Sequence, residues 1–195
     1  LSGEAVITWR VGDGKYMVNA ESRVSLLGKL TENRSQGTID SFGLAPSEFY
    51  EKRFRKDPTT STFNRGTGTL SFSEGKQTYQ LKGGEQDRAS VTWQLVGIAR
   101  AGADKFKPGA TLPFFVAGRR DADPWIFRVV SREKIHTGIG DIEAVHVARD
   151  PMPDNKDQSL EIWFAPSKEW YPVKLRFTDN DKDFVEQTLS KLTRK

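Results

Sequence analysis

The chain has 195 residues, with 30 basic and 26 acidic side chains and a formal net charge of +4, a length that fits one domain, 1–195, burying roughly 70% of the surface exposed by its unfolded form. Cysteine is absent, which excludes disulfides, thiolate catalysis and cysteine-based zinc sites. No apolar run reaches the ~18 residues of a membrane-spanning helix, and 5 Trp with 12 Phe argue against disorder.

Alternating apolar and polar residues, punctuated by Gly, Asp and Asn, recur along the chain. Ala5–Val11, the turn Gly12-Asp13-Gly14 and Tyr16–Val24 predict a first hairpin, because Asp and Gly accept the positive φ angles of tight turns. Thr31–Phe42 reads as a third strand with a bulge at Gly37. Gly43–Ser47 reads as a corner able to hold one helical turn, since Pro46 suits a first helical position. A strand from Phe49 to Lys56 ends at Asp57-Pro58, and short strands follow at Phe63-Asn64, Thr69–Phe72 and Thr78–Leu81.

From Asp87 to Ala101 the period changes. Ala89, Trp93, Val96 and the stem of Arg100 recur three or four apart, with Val91, Leu95, Ile98 and Ala99 widening the apolar face. Asp87 suits the N-cap and Gly102 the stop, so the spacing predicts a helix near residues 87–101. A buried strand over Ser90–Val96 competes, because Val91, Trp93 and Leu95 also alternate. Strands return at Thr111–Gly118, Trp125–Ser131, Lys134–Thr137, Ile142–Arg149, Ser159–Phe164, Val173–Thr178 and Phe184–Leu192, with Asp150–Asp157 as a loop.

Leu112–Val116, Trp125–Val130 and Leu160–Phe164 are apolar at successive positions. A sheet with one wet face alternates cleanly, so these strands predict cover on both faces. The helix, loops or a bound apolar ligand are the candidates for that cover.

Motifs for chemistry are sparse. His136 and His146 flank a turn, and the period of two places them on opposite faces, which makes a poor metal site. Asp179–Asp183 resembles the start of a calcium loop, but Phe184 stands where Gly is required and Ser190 where the bidentate Glu belongs. It reads as a hairpin turn. Lys52–Lys56 reads either as a phosphate-binding groove or as a charged edge strand that resists pairing. No aromatic-plus-glycine RNA signature accompanies it, so no nucleic acid is expected. Arg119-Arg120-Asp121 reads either as an anion-binding rim or as an Arg–Asp pair fixing a turn.

Several pieces in order carry a family likeness: Ser35-x-Gly37 with Ile39, Gly43-Leu-x-Pro46-x-x-Phe49, Gln86-Asp87-Arg88, Gly118-Arg-Arg-Asp121 and Trp125-x-Phe127. Glu161-Ile-Trp163-x-Ala-Pro166, Pro172-Val, Arg176, Asp179, Glu186 and Leu189 continue it. The chain resembles the proteobacterial exported family called domain of unknown function 3108. The resemblance implies a Gram-negative envelope protein, periplasmic after removal of an export signal, and carries over no catalytic residue.

The expected fold is mainly β (α+β): a curved antiparallel sheet, half-barrel or barrel-like, partly covered by one helix. The expected function is non-catalytic binding of a lipid or other amphiphilic ligand, with Trp93, Trp125, Phe127 and Trp163 lining the site, Arg119 and Arg120 at its rim, and no cofactor or metal. The alternatives are an envelope scaffold or protein-interaction module without a ligand cavity, and a hydrolase whose carboxylates meet only in three dimensions.

Overall fold

The structure, a computed structural model, describes residues 2–195. Its first half forms β1 (Gly3–Gly12), β2 (Lys15–Val24), β3 (Gly28–Asp40), β4 (Gly43–Arg53), β5 (Thr59–Asn64), β6 (Thr69–Phe72), β7 (Tyr79–Gln80) and β8 (Gln86–Asp87). The helix α1 (Ser90–Ala101) follows, then β9 (Thr111–Ala117), β10 (Ala122–Thr137), β11 (Gly140–Arg149), β12 (Ser159–Ala165), β13 (Tyr171–Thr178) and β14 (Phe184–Thr188). The protein is therefore mainly β with one α-helix among the described residues. One sheet runs β1 to β7 in sequence order; the other runs β14 back to β8. Pairing is antiparallel within β1–β7 and within β10–β14, while β8 pairs parallel with β9.

The chain divides into two compact units. The first comprises Leu1–Gln94 with Phe114–Pro124, the second Leu95–Pro113 with Trp125–Lys195. In the first, Phe49, Phe63, Leu70, Phe72, Ala117 and Ala122 form a buried cluster. In the second, Ile135, Ile142, Ala144, Trp163, Ala165 and Val173 form another, with Leu189 packed against it.

Local chemistry explains most boundaries. The β1–β2 hairpin closes through Asp13 at φ 52° and Gly14 at φ 70°, as its turn residues predict. The expected helix is present but begins at Ser90, three residues after 87, because Gln86 and Asp87 pair as β8; the Asp87 carboxylate still accepts the backbone N–H groups of Ala89 and Ser90 at the helix start, as a capping side chain does. Gly102 follows its last residue.

Four local expectations are corrected. Gly43–Ser47 is the start of β4 and contains no helical turn. Its pairing jumps from Gln36↔Glu48 to Gly37↔Pro46, so a bulge at Ser47 absorbs the proline. Gly37 sits opposite, where a Cβ would lie 2.1 Å from the Ala45 carbonyl oxygen. The two strands expected between Trp125 and Thr137 are one, β10, whose register shifts between Val129 and Ser131. Trp125, Phe127 and Val129 are buried while Ile126 and Val130 are 43% and 46% exposed, so this stretch is covered on one face only. Finally, Lys52–Lys56 is only partly strand: Lys52 and Arg53 end β4, paired with β3 alone because the β5 pairing stops at Glu51, and Phe54–Lys56 belong to the loop after it.

An arginine-rimmed face of the first sheet

Cross-strand registers place three rows of side chains on one face of the first sheet. The first row is Trp9, Val18, Ser35, Phe49, Ser61 and Phe72. The helix start covers it: Trp93 stacks on Trp9 with ring centroids 4.6 Å apart and planes 5° from parallel. The Ser35 hydroxyl donates to Asp87 Oδ2 at 2.5 Å, leaving its oxygen to accept from the Tyr16 hydroxyl at 2.8 Å. Asp87 is fully buried, and desolvation pushes its pKa up to about 6 against the opposing effect of its hydrogen bonds. Burial, followed by the charge of Asp87, also pushes the Tyr16 phenol up. A carboxyl sealed from solvent and occupied by Ser35, Ala89 and Ser90 anchors the helix to the sheet and offers nothing to a substrate.

The second row is Ile7, Ala20, Asn33, Glu51 and Thr59; the third is Ala5, Ser22, Thr31 and Arg53. These rows change character across the sheet. They are apolar and open on β1, where Ile7 is 47% exposed, and polar and buried on β4 and β5, where Glu51 and Thr59 sit. Arg53 donates from Nε to Glu51 at 2.6 Å. Arg119, presented by the turn that Gly118 and Asp121 close, places its own Nε 3.7 Å from the same carboxylate and binds Glu74 through Nη2 at 3.1 Å. Glu74 also holds Arg120, at 3.2 Å. The Arg119–Arg120 cluster therefore pairs with glutamates of other segments.

A third guanidinium joins this group. Arg88 reaches Gly118, where a Cβ would lie 2.9 Å from its Nη2, so the missing side chain makes room for it. Arg88 is solvent-accessible, yet surrounding protein lowers its pKa by desolvation, with Glu51 opposing and Arg53 reinforcing the shift. Arg88 takes no hydrogen bond or ion pair from the described residues. Two neighbouring polar atoms are also buried without a hydrogen-bond partner, Arg119 Nε and Asn33 Oδ1. Arg53 and Arg119 thus pair with Glu51, and Arg88 stands near them under the charges of Glu51, Asp121 and Asp123, with donor capacity left over. Planar guanidinium forks are suited to bidentate recognition of carboxylates and phosphates.

The aromatic candidates have a different setting. In the second unit, Trp125 and Phe127 share a face, 6.0 Å apart, with the Arg149 guanidinium 4.6 Å above the Trp125 ring. Trp163 occupies the opposite sheet face, as the pairings Val147↔Val129, Val147↔Ile162 and His146↔Trp163 require. It is sandwiched by His146, stacked at 4.3 Å, and by Lys174, and it donates its N–H to Glu133. The three residues do not converge, and each fills packed interior. His136 is exposed and bonded to Asp141, while His146 bonds Glu161. The period-two expectation of opposite faces holds, with His136 paired to Asp141 and His146 to Ser131. An open groove of about 530 Å³ lies among Arg10, Lys15, Met17 and Gln36 on the reverse side of β1–β3, and none of the six nominated residues lines it.

Sequence reading finds Arg119, and Arg53 within the basic stretch Lys52–Lys56, but misses Arg88 and does not bring the three together. The available signal is the pair of arginine-containing segments, Gln86–Arg88 and Gly118–Asp121, which β8 and β9 bring side by side through Gln86↔Val116 and Asp87↔Ala117.

The fold and this face define a mainly β protein with an arginine-rimmed surface and no recognisable catalytic constellation among the described residues. The chain belongs to the family described as protein of unknown function (DUF3108), whose model matches residues 2–189. No curated protein matches it. Among solved structures, it is similar to the beta-barrel-like protein of domain of unknown function DUF1849 from Brucella abortus. That likeness has a TM-score of 0.57 at 13% identity, over 96% of this chain and 86% of the other, and shows the fold alone.

Proposed function

We propose that this is a non-catalytic binding protein of the Gram-negative cell envelope, working in the periplasm on an amphipathic ligand with an anionic head. The observation that carries this reading is the gradient on one sheet face, from open apolar Ile7 and half-buried Ala20 to Arg53 and Arg119 on Glu51, with Arg88 nearby. The arginines hold the head, and the β1–β2 side receives the apolar part. Arg119 is the sequence-nominated residue that this proposal keeps, and Trp93 supports the face through Trp9.

The test is native mass spectrometry of the purified chain with solvent extraction of whatever it retains. The expected result is an anionic amphiphile at a defined stoichiometry, retained at least tenfold less by the Arg88→Glu variant. A chain that carries nothing and takes up no added fatty acid, or equal retention by the variant, overturns the proposal.

A second reading, a protein-interaction module, is favoured by β1. This strand ends its sheet, and Val6, Ile7 and Val11 on it are exposed. An extended partner segment adding to that edge is the mode such a strand supports. Crosslinking a partner to β1 in a chain that retains no amphiphile favours this alternative.

A further inference from the structure

At one end of the first sheet, the β2–β3 loop and the loop after β4 stand side by side. The β2–β3 loop is Ser25-Leu26-Leu27, closed by Gly28 at φ 74° and by the Leu27 N–H donating to the Val24 carbonyl. Leu26 is 90% exposed and Leu27 47%. The second loop is fixed beside it: the Phe54 N–H donates to the Leu30 carbonyl at 2.7 Å, and Thr31 pairs with Arg53. Phe54 is 39% exposed, and the Arg55 guanidinium lies 4.9 Å above its ring.

The charges around these three apolar side chains divide into two groups. Arg23 and Lys29 are engaged by Glu21 and Glu32, and Arg53 by Glu51. Lys52, Arg55 and Lys56 have no acidic partner among the described residues. Lys52 Nζ instead donates to the Lys56 carbonyl, which holds these cations in one turn with Phe54 between them. Apolar side chains at loop tips, ringed by uncompensated cations, combine the two attractions that hold a protein at a lipid interface: insertion below the headgroups and attraction to anionic lipid.

We propose that this end of the sheet docks on an anionic lipid surface, with Leu26, Leu27 and Phe54 entering the interface and Lys52, Arg55 and Lys56 meeting the headgroups. A lipid surface fits better than a folded partner. The apolar part is three projecting side chains on two narrow loops, whereas a stable protein interface needs a broad patch, about 800 Å² on each side. The charge complementarity commits the occupant further, to anionic and not zwitterionic membranes.

The experiment is co-sedimentation of the whole chain with phosphatidylglycerol-containing vesicles and with pure phosphatidylcholine vesicles. The expected result is binding to the anionic vesicles alone, weakening as salt rises. Leu26→Asp, a change at an exposed loop tip, and the triple variant K52E/R55E/K56E are each expected to lower that binding at least tenfold while unfolding as the wild type does. Arg88→Glu, which targets the ligand face, is expected to bind vesicles normally, so failure of the ligand proposal and failure of this one are distinguishable. Absence of wild-type binding, or unchanged binding by Leu26→Asp and the triple variant, overturns the docking surface. Equal loss in Arg88→Glu overturns it as well, by assigning the vesicle binding to the arginine face.

Discussion

The two units bury different chemistry. Among the described residues, nine buried polar or charged side chains belong to the first: Ser35, Glu51, Thr59, Ser61, Glu85, Gln86, Asp87, Ser90 and Gln94. Two belong to the second, Thr137 and Arg149. A buried polar group costs stability unless it is hydrogen-bonded. The first unit meets that condition with linked bonds from Tyr16 through Ser35 to Asp87, and from Asp87 through Ser90 to Gln86. Arg119 Nε and Asn33 Oδ1 are left outside this network. The second unit is dominated by packed aromatic and branched side chains, with Phe106 set edge-on against Phe164 and tilted against Trp170. One region is built mainly by packing; the other holds most of the buried polar groups, linked by hydrogen bonds around Asp87.

The largest effect that tests this contrast is in the dry region. Phe164 has no exposed surface, so Phe164→Ala is expected to cost about 3–5 kcal/mol, the range for truncating a buried aromatic. Urea denaturation measures it. A loss below about 1 kcal/mol would mean that the second unit is loosely packed, and the contrast would fail.

Asp87 comes next, and its effect depends on pH. Its pKa rises from 3.8 to about 6 on folding, so the folded chain holds this proton more tightly than the unfolded one. The associated stability is fully present below about pH 4 and is lost as pH rises through about 6, a difference of about 3 kcal/mol. Asp87→Asn keeps an acceptor for Ala89 and Ser90 and removes the charge. The wild-type stability should therefore gain on the variant's as pH falls from 7 to 4.5, measured as the difference between their urea midpoints. Parallel curves would show that Asp87 is solvated and that the polar interior is open. Trp163→Phe, which deletes the N–H donated to Glu133, is expected to cost about 1 kcal/mol and to leave amphiphile retention unchanged. Loss of retention would move the ligand site to the second unit.

The fold is legible in the sequence where its signals are local. Asp13-Gly14 specifies a hairpin, the alternation along Tyr16–Val24 specifies a strand, and Asp87 specifies the cap of α1. Pro46 misleads, because a proline suits a first helical position as well as a bulged strand, and only the pairing of Gly37 with Pro46 decides. Two-sided apolar composition is a sound guide at β12, where Ile162, Trp163, Phe164 and Ala165 are all buried. At β10 it is not, since exposed Ile126 and Val130 alternate with the buried Trp125, Phe127 and Val129. The site is less legible because it is non-local. Arg53, Arg88 and Arg119 come from β4, from the turn after β8 and from the turn after β9, and no sequence spacing links them.

The smallest expected effect on stability is also the sharpest test of the open face. Gly118 does not take a positive φ, and its close neighbour is the far end of the flexible Arg88 side chain, 2.9 Å from the place a Cβ would take. A methyl group there displaces the guanidinium without disturbing a packed core, so Gly118→Ala should change stability by no more than about 0.5 kcal/mol. Ligand retention should fall with it, because the Arg88 guanidinium is pushed out of the place beside Gly118 from which the proposal has it reach the ligand head. Measuring the urea midpoint and the retained amphiphile on one preparation separates the two properties. A stable variant with full retention would show that the position of Arg88 does not matter, and the arginines would then be a charge-balanced rim with no ligand to hold.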